Sequence, residues 1–223
     1  NAPEPRDDAL TVLLETCNDL WAGRAQMLPE FFDARSLGIP KRGGDIVSDP
    51  RQIGVCAASN SLFEALVTNR IMDWLERSRA IDDDQHGFRR SMSCDTAAAC
   101  FQMTLEHALI NKAPLLVLFI DCEKAYDSTC RDHLLVALDR VGLRNRAIKA
   151  IVNSAIFLAK RYVCIPGYNE DGREGRSWTD QRGLLQGHKW STWLYLVDQN
   201  DMQAYVKEHV QNEPGAGFLV NLI

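Results

Sequence analysis

Leu115-Leu116-Val117-Leu118-Phe119-Ile120-Asp121 decides how the chain is read: six consecutive apolar residues closed by a carboxylate. An apolar run of this length, with neither helical nor alternating spacing, fits a strand buried on both faces. From 114 to 120 it is far too short to cross a bilayer. A strand end is a rigid place, and a hard divalent cation favours rigid oxygen ligands, so Asp121 is a candidate metal ligand. It is equally a candidate cap for the next helix or a partner for a loop amide. The residues themselves leave both roles open.

Outward from this run, helical spacing dominates. Residues 9–21 carry Leu10, Leu13, Leu14, Cys17, Leu20 and Trp21 on one face, and 59–77 carry Leu62, Phe63, Leu66, Ile71, Trp74 and Leu75. Further helices are expected at 94–111, capped by Ser93 or Asp95, at 131–141 ending on Gly142, at 145–159 and at 190–210. Residues 162–165 and 177–179 read as two strands of a hairpin joined by the turn-rich 167–175. The Gly- and Pro-punctuated 29–49, with the turn-like Arg42-Gly43-Gly44-Asp45, and the polar 82–93 read as loops. No internal repeat, low-complexity segment or interdomain linker stands out. The pattern is α+β, mostly helical with a small antiparallel sheet.

A chain of 223 residues can form one substantial domain or two small lobes sharing a core. Its hydrophobic content of 46% and charged content of 25% are ordinary for a globular protein. Nothing resembles a membrane span or a signal peptide, and the opening Asn1, in place of Met, is in keeping with a fragment of a longer polypeptide. Seven scattered cysteines without a C-x-x-C pair, and five histidines without an H-x-x-x-H pair, argue against a disulfide framework or a zinc site. They favour a reducing intracellular compartment. A net charge of −5 does not advertise a nucleic-acid binder, although whole-chain charge averages over local patches. Gly183-Leu184-Leu185-Gln186-Gly187-His188-Lys189 is not a P-loop, and neither G-x-G-x-x-G nor G-x-S-x-G occurs.

Phe119-Ile120-Asp121-Cys122-Glu123-Lys124-Ala125-Tyr126-Asp127 resembles the first catalytic motif of reverse transcriptases of the non-LTR retrotransposon and group II intron type. Other pieces follow in the family's order. Gly38-Ile39-Pro40-Lys41-Arg42-Gly43-Gly44 is similar to its Ile-Pro-Lys and polar turn, and Asp49-Pro50-Arg51-Gln52-Ile53 stands where it has Tyr-Arg-Pro-Ile. Leu62-Phe63-Glu64-Ala65-Leu66 with Asn69-Arg70-Ile71, Gln85-His86-Gly87-Phe88-Arg89 and Arg182-Gly183-Leu184-Leu185-Gln186-Gly187 extend the likeness over roughly residues 28–196.

The resemblance implies an RNA-directed DNA polymerase fragment of right-hand fold, transferring dNTPs to a DNA primer on an RNA template with two Mg2+ ions. Fingers-like residues would span 1–112, with 82–112 joining them to a partial palm at 113–223. By the same resemblance Asp121 and the Cys122 carbonyl are metal ligands, and Tyr126 excludes a ribose 2′-hydroxyl. Lys41, Arg51, Tyr126, Gln186 and Gly187 would bind the dNTP, and Gly87 and Arg89 the template. Lys41 and Arg51 also fit a solvated loop, Gln186-Gly187 an ordinary turn, and Phe88 a core aromatic. A nuclear location is implied, with no membrane partner.

The family's Asp-Pro-Leu-Ser-Pro is replaced here by His188-Lys189-Trp190-Ser191-Thr192, so the roles of the positions after Gly187 do not carry over. No Asp-Asp pair follows Asp121, although the family's second catalytic motif carries one. The chain is therefore expected to hold half of a metal site and to be inactive alone. A non-catalytic nucleic-acid-binding remnant of such a polymerase is the alternative.

Overall fold

The computed structural model describes residues 5–25, 28–41, 50–164 and 177–210. Its helices follow the apolar periods closely. Helix α1 (Pro5–Trp21) precedes strands β1 (Ala34–Pro40) and β2 (Pro50–Val55), and α2 (Ala58–Arg77) and α3 (Cys94–Ile110) come next. The short α4 (Ala125–Ser128) leads to α5 (Arg131–Arg140) and to α6 (Arg146–Asn153), which runs into a π-helical turn at Ser154–Leu158. Strands β3 (Arg161–Cys164) and β4 (Ser177–Trp178) precede the long α7 (Lys189–Val210).

Local chemistry explains the helix ends. Ser93 caps α3 in a reciprocal box with Thr96, and the Asn145 side chain accepts from the backbone N–H groups of Ala147 and Ile148 at the start of α6. Gly142 follows α5 with φ +88°, a conformation that stops a helix at little cost for glycine.

The sheet has the order β2-β1-β3-β4. The expected hairpin pair is present, Arg161 facing Trp178 and Tyr162 facing Ser177, while the turn at 167–175 lies outside the described residues. Strand β1 comes from the stretch read as loop and β2 from residues just beyond it to which no element was assigned: the two pair antiparallel, Arg35 opposite Val55 and Pro40 opposite Pro50. Gly38, Pro40, Pro50 and Gly54 mask their period, and pairing overrides the weak local propensity. Strand β1 also pairs with β3 in parallel, so the sheet is mixed rather than antiparallel.

One hydrophobic core lies among these elements. Phe63, Val67, Ile71 and Leu75 form the buried stripe of α2, whereas Leu62 and Leu66, expected in that stripe, are exposed. In α1, Cys17 and Leu20 are buried while Leu10 and Leu14 face solvent. Phe31, Phe32, Phe63 and Trp190 meet edge to face, with ring centroids 5.4–6.1 Å apart. Trp193, Leu194, Tyr195, Leu196 and Val197 are all buried, so this part of α7 is enclosed on every side. Elements from both sides of residue 112 share this core: β1 pairs with β3, and α7 packs on α2 and on α5.

The central expectation of a buried strand at 115–120 is overturned. Residues 113–122 form no helix or strand, and Leu116, Phe119 and Ile120 are 95%, 76% and 75% exposed. Phe119 touches Phe101 of α3, itself buried only at Ala97 and Ala108. An apolar run becomes a strand only where another backbone offers ladder partners, and no described strand pairs with this one.

Candidate functional site

The loop 182–188, which carries Gln186 and Gly187, joins the Tyr126 turn to β2. Its backbone is fixed to the Tyr126 turn on one side: Leu184 N–H donates to the Tyr126 carbonyl (2.7 Å) and Gly183 N–H to the Thr129 carbonyl (2.9 Å). On the other side Gly54 N–H, in β2, donates to the Gln186 carbonyl (2.7 Å). Glycine is required at two of these contacts, Gly183 and Gly187, where φ is positive and a Cβ would meet backbone. Gly183 has φ +86°, and a Cβ there would sit 2.7 Å from the Asp127 carbonyl oxygen. At Gly54 a Cβ would meet the Leu185 side chain, and at Gly187 (φ +104°) the Gly54 carbonyl.

Arg51 is exposed on β2 opposite Ile39, and Lys41 is exposed immediately beyond Pro40, so the two cations occupy the same end of the β1–β2 ribbon. Gln186 is half-buried and Gly187 exposed on the loop that Gly54 holds. Tyr126 is half-buried and stacks on Tyr195 with centroids 4.9 Å apart, and burial raises its phenol pKa. The Tyr195 phenol is pushed up to about 12, chiefly by burial, with Cys122, Asp198 and Tyr126 adding to it. Cys122 thus lies within electrostatic reach of Tyr195.

Asp121 and Cys122 are exposed on the irregular 113–122 segment, not at the end of a strand. Asp121 does not cap the next helix either, because the N-cap of α4 is Lys124, at φ +51°. Among the described residues, neither belongs to a grouping of three or more potential metal-ligand side chains.

The template-facing pair is placed differently from expectation. The Arg89 guanidinium is 8% exposed and is held by both Glu76 oxygens (2.9 and 2.8 Å) and by the Asp82 and Gln85 carbonyls (2.7 and 3.1 Å). It braces the 82–93 loop against α2 instead of facing a phosphate. Gly87 is buried, its N–H on the Gln85 side-chain oxygen (3.3 Å), and Phe88, expected in the core, is 48% exposed at φ +55°.

The Arg89 hydrogen bond holds the Glu76 carboxyl below its usual range. A carboxylate depressed in the folded state stabilises fully above its unfolded pKa of about 4.3 and loses that contribution as pH falls through the folded value. Glu76→Gln is therefore expected to be less stable than the parent near neutrality. The gap should close in acid denaturation profiles below about pH 4. A pH-independent gap would contradict the assignment.

Two arrangements have no counterpart in the sequence reading. Glu64, 1% exposed on α2, accepts from His188 Nδ1 (2.5 Å) and from the Lys189 backbone N–H (2.9 Å), tying α2 to the start of α7. Ser191 Oγ–H donates to the Leu185 carbonyl (2.6 Å) just beyond. Arg131 and Arg161, both buried, converge on Asp180, and Arg131 Nε donates to the Gly183 carbonyl (2.9 Å). Burial lowers the Arg131 pKa to about 10 against the opposing pull of Asp180. Glu64 had been visible only as part of a helix motif, and a His in place of an expected Asp was the one hint of its partner.

A cavity of about 460 Å3 lined by Trp21, Arg70, Trp74, Arg77 and Asn145 contains none of the nominated residues. No helix among the described residues is long and apolar enough to cross a membrane. No protein-family model and no curated protein matches the chain.

Proposed function

We propose that this chain is the nucleotide-facing part of a reverse transcriptase-type polymerase, binding an RNA–DNA hybrid and an incoming dNTP. The observation that carries the reading is the convergence on loop 182–188. It is bonded through Leu184 to Tyr126 and through Gln186 to Gly54, three residues beyond Arg51 on β2. Widely separated sequence motifs that resemble the family's dNTP-binding pieces are thus joined by main-chain hydrogen bonds.

The chemistry suits the arrangement. A triphosphate is held by cations, with Arg51 able to make a bidentate contact and Lys41 a mobile point charge. The Tyr126 ring, fixed by its stack on Tyr195, can exclude a 2′-hydroxyl by volume. Gln186 offers an amide that bonds to a sugar or a base.

For magnesium the resemblance nominates the Asp121 carboxylate and the Cys122 carbonyl. Asp121 is the one carboxylate the resemblance nominates, and among the described residues it joins no ligand cluster. The chain alone is therefore expected to bind without extending a primer. The second reading is a non-catalytic binding remnant of such a polymerase.

The test is fluorescence anisotropy with a labelled RNA–DNA hybrid, followed by primer extension with magnesium and dNTPs. Saturable binding that weakens steeply with salt, without extension, is the expected result. No binding at low salt would sink both readings, and measurable extension would overturn the claim of an inactive chain.

A further inference from the structure

The Glu64–His188 pair carries more than a structural brace. Cys56 follows β2, Glu64 lies on α2 and His188 immediately precedes α7. The Cys56 sulfur, a Glu64 carboxylate oxygen and a His188 ring nitrogen all lie within 4.8 Å of one another. His188 is 6% exposed, and while its Nδ1 is engaged by Glu64, its Nε2 is buried without a hydrogen-bond partner. Such a buried orphan is costly, and it leaves the imidazole in this pocket with only one of its two nitrogens engaged. One turn before Glu64, on the same face of α2, Asn60 is fully buried with both amide atoms unpartnered. A thiol, a carboxylate and an imidazole thus meet between β2, α2 and the start of α7.

We propose that Cys56, Glu64 and His188 form a binding site for a zinc-class divalent cation. Thiolate, imidazole and carboxylate together are the donor set of zinc rather than magnesium, and three protein ligands leave a fourth position for water. Zinc–ligand bonds of about 2.0–2.3 Å hold donor atoms farther apart than the 2.5 Å between the Glu64 oxygen and His188 Nδ1, so that hydrogen bond breaks and the imidazole proton passes to Nε2 as the ion enters. On binding, the thiol releases its proton to solvent and the cation balances the charge of the buried Glu64. Burial pushes the Cys56 thiol up, which sets it apart from an activated nucleophile. The ion would pin the carboxyl-terminal side of loop 182–188 to β2 and α2. The inference stands on these residues whether or not the chain binds a nucleotide.

The whole chain, stripped with chelator, is titrated with Co2+ as a spectroscopic stand-in and then with Zn2+. Cobalt is expected to bind at one equivalent with a thiolate-to-metal charge-transfer band that Cys56→Ser abolishes, and zinc to bind that variant roughly a hundredfold more weakly. Zinc should also slow alkylation of Cys56 in the unmutated chain, read by peptide mass spectrometry, while the exposed Cys94, Cys100 and Cys130 react as before. This second readout needs no variant to fold. A band that survives in Cys56→Ser, or a Cys56 alkylation rate unchanged by zinc, would overturn the proposal.

Discussion

Replacing Glu64 with alanine is expected to destabilise the chain by about 3–5 kcal/mol, measured by urea unfolding in the presence of chelator. The carboxylate is buried to 1% exposure and is the acceptor for both His188 Nδ1 and the Lys189 N–H. Removing it leaves the buried His188 nitrogen without its partner and the part-buried Lys189 N–H without its acceptor, and the penalty is the desolvation of the orphaned groups. Glu64→Gln should fall between, because its amide retains one acceptor oxygen but turns an NH2 toward a donor. A loss below about 1 kcal/mol for the alanine variant would mean that α2 and α7 are joined by apolar packing alone.

Gly183→Ala should cost about 3 kcal/mol and reach further than stability, since the residue lies between the loop and the Tyr126 turn. Two penalties add. The left-handed φ of +86° is strained for any residue with a Cβ, and that Cβ would stand 2.7 Å from the Asp127 carbonyl oxygen and 2.9 Å from its Cα. The clash is with backbone, so it is relieved only by moving α4. Gly142→Ala separates the terms: its φ is +88°, but the nearest atom to a new Cβ is on Trp74, 3.7 Å away. That variant should lose only about 1 kcal/mol, the conformational part. Equal losses at the two sites would show that loop 182–188 does not bear on α4.

The helices were legible because helical periodicity is local. The Ser93 cap and the Gly142 stop came directly from residue type, and α7 was placed to within a residue at its start. What escaped depends on distant partners. Strands β1 and β2 are broken up by glycine and proline and exist because each finds the other, with β3 alongside. The run at 115–120 errs in the opposite sense, since its apolar composition is strand-like but no described strand lies beside it.

The candidate site divides in the same way. The segments that resemble the family's dNTP-binding pieces were quoted from sequence, and loop 182–188 links several of them by main-chain hydrogen bonds. Arg89 was misjudged because a cation near a glycine turn reads alike whether it awaits a phosphate or, as here, is held by Glu76 and two carbonyls. The Glu64–His188 contact spans 124 positions, and no local pattern could have announced it.

The central claim is that Arg51, Tyr126 and Gln186 face an incoming nucleotide over a template. It is tested most directly by hybrid affinity with and without the next nucleotide, using a terminated primer so that no chemistry occurs. The account predicts that the dNTP complementary to the template base tightens hybrid binding, that mismatched dNTPs and the matching ribonucleotide do not, and that Arg51→Ala and Gln186→Ala abolish the effect. Hybrid affinity indifferent to the matched dNTP, or an effect that survives Arg51→Ala, would contradict it.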